Sequence, residues 1–313
     1  MDGFDDSTIR FRILINFLLL ILLATIWGSQ FVVVKIGLAS LPPLLFAAVR
    51  FDVAAVILGS YIVSRGYRIN PRHPIESMEV ISSGLLIFVL SQGLYHIGQL
   101  HVSSGVAAIL YSTIPLLVSG FSLALLSHSQ RFYTKFGGIC IGFVGVWIIV
   151  RPEIGGTGSL RFFGRSLILG SSAAFAIATV WSKKLLGDVR LSVLSRLWWA
   201  MLIGSIGLHG LSFAFEGAPV RFTNISAIEA LPILYLAIVP SIIAYVIFYR
   251  LLDRIGPLEV SLVTYLVPVC TAILGWIVLN EHLSGSAVVG FLMVSFGFIV
   301  VKWPDVSEAM GLS

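Results

Sequence analysis

The chain has 313 residues, of which 58% are hydrophobic and only 11% are charged, and its mean hydropathy is +1.00. Soluble domains carry about 25% charged residues, so this composition excludes an ordinary soluble protein and indicates a membrane protein. Ten spans of about 20 apolar residues would use about two thirds of the chain, which leaves no room for a separate soluble domain.

The net charge of +5 does not point to nucleic acid in such a protein. Basic residues collect in cytoplasmic loops, where they face anionic lipid. We therefore predict the lipid bilayer as a partner and no nucleic acid. Cys140 and Cys270 both lie in apolar segments, which favours small buried side chains over a disulfide or a metal site.

In chain order, the apolar segments predict an all-α polytopic membrane protein with ten transmembrane helices. An acidic tail, residues 1–12, precedes the first helix without a small-residue cleavage site, so we predict a retained helix and not a signal peptide. Pro42 and Pro43 open the second span, and Pro257 opens the ninth. The predicted spans are 13–35, 42–64, 78–99, 103–126, 133–150, 164–183, 193–214, 228–250, 257–279 and 285–303.

The positions of Lys and Arg predict which loops lie in the cytoplasm. With the N-terminus inside, the outer loops carry only Lys35, Arg151, Arg161, Arg165 and Arg221. Arg50 lies within a span, and every other Lys and Arg falls on the inner side. This asymmetry predicts a multi-pass protein of the cytoplasmic (plasma) membrane with both termini in the cytoplasm.

An internal repeat divides the chain into two halves. The segment that begins with Leu94 aligns without gaps with the segment that begins with Ile247, so that Pro115 falls on Pro268, 153 residues later. A weaker match places 24–35 on 173–184. We predict a cytoplasmic tail (1–12), a first repeat (13–150), a linker loop (151–163), a second repeat (164–303) and a cytoplasmic C-terminal tail (304–313).

Each predicted repeat contains five spans, so the second repeat enters the membrane from the opposite side. An inverted repeat of this kind can open a site at its interface alternately to either side. This feature points to a secondary transporter of a small molecule.

Two stretches resemble a known family. "ILLATIWGSQFVVVKIGL" followed by "LPPLLFAAVRF", and later "IGPLEVSLVTYLVPVCTAILGWIVLNEHLS", resemble EamA-type members of the drug/metabolite transporter superfamily over about residues 14–303. The matching positions are Trp27, Gly28, Phe31, Lys35, Pro42, Arg50, Pro268 and Glu281. One departure is the turn around Ser127–Ser129, where the family usually carries a Glu-containing turn.

The resemblance implies a carrier of small organic metabolites. We expect export of amino acids or related compounds, for which a mixed aromatic and amide interior is suitable. A non-transporting membrane receptor or an assembly subunit on the same fold is the alternative, because fold does not determine function.

Arg50 and Asp52 are two charges within the second span. At about 1.5 Å per residue from Pro42 they lie about 12 and about 15 Å deep, near the bilayer midplane. Charges there cost at least about 2.5–3.5 kcal/mol and should face protein or water. Residues two apart do not share a helix face, so each should find its partner on another helix. Arg50 is a structural tie or a substrate contact; Asp52 is a structural charge or a protonatable coupling site.

His96, near the end of the third span, is a further candidate for proton coupling, because imidazole titrates near neutral pH. The alternative is a hydrogen-bonded wall residue beside Tyr95 and Gln99. Protons are therefore a candidate coupling ion, and an ion-independent facilitator or exchanger would need none of these groups.

Aromatic and amide side chains within the spans suit a cavity for a small, partly apolar solute. Helix packing is the alternative explanation for each of them. The candidates for the substrate cavity are Trp27, Gln30, Phe31, Tyr95, Gln99, Tyr111, Trp181, Tyr245 and Tyr265. Pro115 and Pro268 occupy equivalent helices, and paired mid-helix prolines predict that both helices bend during gating.

The sequence contains no recognised enzyme motif and no ATP-binding loop. We therefore predict no catalytic residue, no metal site, no cofactor and no enzymatic activity. The histidines are too scattered to predict an intramembrane enzyme. The sequence makes no prediction of the oligomeric state.

Overall fold

A computed structural model describes residues 6–125, 132–150, 158–185, 190–217 and 226–309. Within these ranges eight helices are long and apolar enough to cross a membrane, and two shorter apolar helices cover 137–150 and 285–301. The predicted all-α membrane fold of two inverted five-helix repeats is confirmed. The Ser127–Ser129 turn, the first half of the predicted linker and the outer parts of both predicted tails lie outside the described residues.

We number ten helical segments in the described ranges, counting an interrupted helix once. They are α1 (Asp6–Gly37), α2 (Pro43–Ser64), α3 (Pro74–Gln99), α4 (Ser104–Tyr111 and Ile114–Leu125), α5 (Phe132–Val150), α6 (Gly158–Leu185), α7 (Val193–Phe215), α8 (Ala227–Leu236, Ala237–Ile243 and Ala244–Ile255), α9 (Pro257–Ser261 and Val263–Leu279) and α10 (Gly285–Ala309). Helices α1, α3, α6, α8 and α10 extend by several residues beyond the predicted spans, because a helix can continue into the polar boundary where apolarity no longer marks it.

Helix ends follow local chemistry. Pro43, Pro74 and Pro257 stand in the first turns of α2, α3 and α9, where a missing backbone N–H costs nothing. Ser103 and Ser192 cap α4 and α7 by accepting hydrogen bonds from the backbone amides of Val106 and Ser195, three residues on. These signals are local, which explains why the prolines at the starts of α2 and α9 could be assigned from the sequence.

Two π-helical segments interrupt equivalent helices. Residues Gly84–Ser91 of α3 and Ala237–Ile243 of α8 are π-helical, and these segments begin 153 residues apart, the spacing that relates the two repeats. Pro240 lies inside the second segment and lacks the N–H that an α-helix would use. π-helical turns are rare and are frequent at functional sites.

The two repeats pack through corresponding helices. α5 and α10 approach so closely that a Cβ on Gly138 would lie 2.6 Å from the Gly297 carbonyl oxygen, and one on Gly145 would lie 2.7 Å from that of Gly290. Such contacts require small residues.

A second contact between the repeats joins α7 to α2. The Glu216 carboxylate at the end of α7 accepts hydrogen bonds from the amides of Leu44 (2.7 Å) and Leu45 (3.0 Å) at the start of α2.

Candidate substrate site

A small cavity lies between the two repeats at the level of the π-helical segments. Its volume is about 20 Å³, room for about one water molecule. The first repeat contributes Trp27, Gln30, Phe31, Gln92, Tyr111 and Ile114, and the second contributes Phe175, Tyr245, Thr264 and Val267. We call this the central cavity.

Aromatic rings form one wall of the central cavity. Trp27 packs against Phe175 (ring centroids 6.0 Å apart), Tyr245 (5.8 Å) and Phe248 (5.4 Å). Aromatic side chains of this kind give an apolar surface with hydrogen-bonding edges. The wall therefore suits a solute that is part apolar and part polar.

A second aromatic cluster forms the adjoining wall. The Phe31 ring packs edge-on against Tyr95 and Tyr111, with both centroids at 5.3 Å. The Tyr111 hydroxyl lies 2.5 Å from Ser171 Oγ, and Ser171 Oγ donates to the Ser91 carbonyl at 2.7 Å. These hydrogen bonds join the first repeat to α6 of the second.

Arg50 lies immediately behind the central cavity and is fully buried. Its Nε donates to Ser241 Oγ of α8 at 2.8 Å, and its Nη2 donates to Gln30 Oε1 of α1 at 2.8 Å. Its Nη1 has no hydrogen-bond partner among the described residues. Arg50 therefore ties α1 and α2 to α8 and keeps one donor group unused.

Other buried polar atoms near the central cavity are also unpartnered within the described part of the chain. They are Gln92 Oε1, Tyr95 Oη, His96 Nε2 and Gln99 Oε1. A buried polar atom without a partner costs free energy, and a native structure keeps such atoms for a reason. Of these four residues Gln92 lines the central cavity, where the plain reason is a bound solute or water.

Tyr95, His96 and Gln99 belong to the wall and do not line the central cavity. His96 Nδ1–H donates to the Gln92 carbonyl at 2.7 Å, and the Gln99 side-chain amide donates to the Phe31 carbonyl. Lys35 donates to the carbonyls of Gln99 (3.0 Å) and Val102 (2.7 Å). These contacts hold the end of α3 against α1.

The bundle is open at the end where α1 finishes and α2 begins, and we call this the open end. A cavity of about 420 Å³ lies there, and its lining includes Lys35, His101, Arg161, Arg165, Glu281 and His282. Glu281 accepts hydrogen bonds from the Ser104 amide (2.8 Å) and hydroxyl (2.5 Å) at the start of α4. Glu281 thus joins the α9–α10 turn to the first repeat.

At the opposite end, which we call the closed end, a buried ionic network joins the repeats. Arg196 of α7 donates to Asp253 of α8 at 3.0 Å and lies 3.8 Å from Glu79 of α3. Glu79 also accepts hydrogen bonds from Ser83 (3.2 Å) and Ser182 (3.0 Å). This network was not predicted from the sequence, although the acidic residues at the start of the third span were a visible signal.

A neighbouring carboxylate at the closed end, Glu76, organises the loops. It accepts from Arg68 Nη2 at 2.6 Å and from the backbone amides of Arg72 (2.8 Å) and Arg190 (3.1 Å). Lys183 donates to the carbonyls at the end of α8. Glu76 therefore joins the α2–α3 loop to the segment just before α7.

Three further predicted residues lie farther from the central cavity. Asp52 points to the outer side of α2, where Ser205 donates to its Oδ1 and His209 Nε2 lies 2.7 Å from its Oδ2. Tyr265 packs on Phe291 and Phe298 of α10. Trp181 lies near the closed end of α6, with Lys184 Nζ 5.6 Å from its ring. As predicted, Arg50 and Asp52 do not pair with each other.

The two predicted bending prolines have different surroundings. α4 is broken at 112–113, just before Pro115, whereas α9 is helical without a break from Val263 to Leu279 and so continues through Pro268. The break in α9 falls at Leu262. Bending at Pro268 remains a prediction.

Comparison with known proteins agrees with this architecture. The model of the EamA-like transporter family matches residues 14–151 and again residues 162–303. The chain is 29% identical to the uncharacterized inner membrane transporter YedA of Escherichia coli (strain K12), over 93% of this chain and 92% of that protein. It is 27% identical to the uncharacterized transporter YoaV of Bacillus subtilis (strain 168), over 88% of this chain and 92% of that protein.

A third relative is named as a probable amino-acid metabolite efflux pump, from Escherichia coli (strain K12). It is 26% identical, over 90% of this chain and 93% of that protein. A solved crystal structure shares the fold, with a TM-score of 0.65 and 18% identity over 93% of this chain and 97% of that chain. Because the family model covers most of the chain in two successive matches, the chain belongs to the EamA-like transporter family, and it is a multi-pass membrane transporter.

Proposed function

We propose that the protein is a secondary transporter that exports amino acids or related small metabolites by alternating access between its two inverted repeats. The solute crosses chemically unchanged, so the proposal includes no enzymatic reaction. The protein would lie in the cytoplasmic membrane with both termini inside and with the two repeats at 13–150 and 164–303.

One observation carries the proposal. Gln92 lines an aromatic cavity shared by both repeats, and Arg50 is hydrogen-bonded to the lining residue Gln30. Among the described residues the acceptor Gln92 Oε1 and the donor Arg50 Nη1 have no partner. An amino acid offers a carboxylate to a guanidinium donor and an ammonium group to an amide oxygen. Its side chain would contact the Trp27 and Phe175 rings.

The efflux-pump name of one relative supports amino-acid metabolites and export.

The geometry of the two ends supports alternating access. In the orientation predicted from Lys and Arg, the open end faces outward and the closed end faces the cytoplasm. The conformation described here would then be open outside, constricted at the centre and locked inside by Arg196 and its carboxylate partners. An inward-facing state requires that this ionic network separate.

Solute flux tests the proposal. Purified protein in proteoliposomes loaded with a mixture of amino acids, amino-acid amides, amines and sugars should release one chemical class, measured by mass spectrometry of the medium. We expect amino acids to leave and the corresponding amines, which lack the carboxylate, to stay. Release of no compound above empty liposomes would contradict transport and favour a receptor or assembly role.

A matched pair of tryptophan variants tests whether the solute passes through the central cavity. Trp27 lines the central cavity, whereas Trp276 lies on the outer surface with 60% of its area exposed. Trp27→Leu should lower exchange about tenfold, equivalent to about 1.4 kcal/mol, and Trp276→Leu should leave it unchanged. Equal effects of the two variants would contradict a substrate route through the central cavity.

A further inference from the structure

The second helix carries two charges on opposite faces, and only one of them belongs to the central site. Arg50 is fully buried toward α1 and α8, whereas the Asp52 side chain is 45% exposed on the outer side of the bundle. Asp52 stands nine residues after Pro43 in a 22-residue helix, about 14 Å along it and near the membrane midplane. A carboxylate at this depth needs a functional explanation.

Asp52 has two partners, both on α7. Ser205 donates to one carboxylate oxygen, and His209 Nε2 lies 2.7 Å from the other. Since α2 belongs to the first repeat and α7 to the second, this pair crosses the repeat interface. A change in its protonation would therefore act directly on the contact between the repeats.

A polar stripe leads from the open end to this pair. Ser205, His209, Ser212 and Glu216 follow one another on α7 at intervals of three or four residues, which places them on one helix face. Ser212 Oγ donates to Glu216 Oε2 at 2.7 Å, and Glu216 holds the first amides of α2. Polar groups thus continue from the helix end inward to Asp52.

Four other titratable groups near α2 belong to the central site. Arg50 on α2 itself, Tyr95 and His96 on α3 and Tyr245 on α8 interact with one another on the inward face. His209 is the titratable residue that contacts Asp52 directly, and Glu216 lies at the outer end of the stripe. His96 is fully buried behind Phe46, away from this stripe.

We propose that Asp52 and His209 form the binding site for the coupling proton, which arrives from the open end along the α7 stripe. The carboxylate and the neutral imidazole together carry one negative charge, and one added proton makes the pair neutral, as either Asp⁻ with His⁺ or protonated Asp with neutral His. Inward movement of protons at this site would exchange for outward movement of solute. This inference rests on the proposed function.

Two measurements test the proton site separately from transport. Infrared difference spectra of purified protein between acidic and alkaline pH should show a carboxyl protonation signal that is absent in Asp52→Asn and altered in His209→Gln. Glu259→Gln, which removes a carboxylate at the start of α9, should leave that signal intact. An identical carboxyl signal in Asp52→Asn would overturn the proton site.

Flux under a pH gradient tests the coupling. With exchange of one proton per solute, a gradient of one pH unit should drive about tenfold accumulation of the best-carried amino acid on the acidic side. Asp52→Asn and His209→Gln should lose accumulation while they keep gradient-free exchange, which also shows that they fold.

The outcomes are distinguishable. Wild-type exchange that ignores the gradient would overturn the coupling and leave the proposed function standing. A wild type that moves no solute would overturn both.

Discussion

Gln92 and Tyr245 stand 153 residues apart, and the Gln92 side-chain amide donates to the Tyr245 hydroxyl at 3.2 Å. The same spacing relates Pro115 to Pro268 and the beginnings of the two π-helical segments. Residues in equivalent positions of two inverted repeats can touch only near the axis that relates the repeats. The hydrogen bond therefore marks this axis, and relative movement of the repeats must disturb it.

Removal of the Tyr245 hydroxyl should impair this contact. Tyr245→Phe deletes the partner of Gln92 at the central cavity, and interhelical hydrogen bonds in membranes contribute about 0.6 kcal/mol on average and up to about 1.7. We expect a loss of stability in that range and slower solute exchange. Thermal unfolding in detergent and proteoliposome exchange measure the two effects.

Tyr265→Phe is the matched control for this variant. The Tyr265 hydroxyl has no partner among the described residues and packs on α10 outside the central cavity. It should leave exchange unchanged and should not lower stability, because the deleted hydroxyl is buried without a partner in the described part of the chain. If Tyr265→Phe slowed exchange as much as Tyr245→Phe, the assignment of the cavity wall would be wrong.

Replacement of Arg50 by lysine should impair the protein. A single ammonium group on a flexible stem cannot reproduce the two directed bonds to Gln30 and Ser241. Loss of one charge-assisted hydrogen bond costs about 1.5–3 kcal/mol, so Arg50→Lys should lower the melting temperature and reduce exchange. Arg250→Lys, an exposed exchange of the same kind, should have no effect. An unchanged melting temperature in Arg50→Lys would contradict the role of Arg50 as a tie.

The closed end should open when Arg196 is neutralised. Arg196→Gln leaves the Glu79 carboxylate buried without its cation. Removal of one partner from a fully buried ion pair lowers the free energy of unfolding by about 3–5 kcal/mol. The loss should be smaller here, because Asp253 is 37% exposed. Hydrogen–deuterium exchange should rise at the starts of α3 and α7 and at the end of α8. The control Arg254→Gln removes an exposed charge from the end of α8, next to Asp253 in the chain. Equal protection in both variants would show that the network does not hold the closed end.

Pro240 should contribute more to movement than Pro268. Pro240→Ala restores a backbone N–H within the π-helical segment of α8 and should favour a regular, straighter helix. We expect higher thermal stability and slower exchange in Pro240→Ala. Pro268→Ala should have a smaller effect, because α9 is already helical through this residue. The opposite ranking would support the hinge predicted from the prolines of α4 and α9.

Much of the fold could be predicted because its signals are local. Apolar runs of spanning length, prolines in the first turns and the Lys and Arg distribution depend on neighbouring residues only. The 153-residue spacing found around Pro115 also predicts that α3 and α8 occupy equivalent positions in the two repeats. The π-helical segments were not predicted, since widening of a helix depends on the packing around it and has no clear sequence pattern.

The site was predicted less completely. Five predicted residues line the central cavity: Trp27, Gln30, Phe31, Tyr111 and Tyr245. Tyr265 and Trp181 are the same types of residue within predicted spans, but they lie elsewhere. Aromatic and amide side chains serve equally in packing and in binding, so residue type cannot separate them. Only the rotation of each helix about its axis decides which side chains face the cavity.

The sequence by itself determined a membrane protein of ten helices in two inverted repeats, because bilayer thickness and the odd number of spans per repeat leave few other arrangements. The tertiary structure decided which charges meet. Arg50 faces inward to Gln30 and Ser241, Asp52 faces outward to His209, and Arg196 reaches Glu79 and Asp253. These pairs join residues up to 191 positions apart, and such contacts exist only after the helices pack.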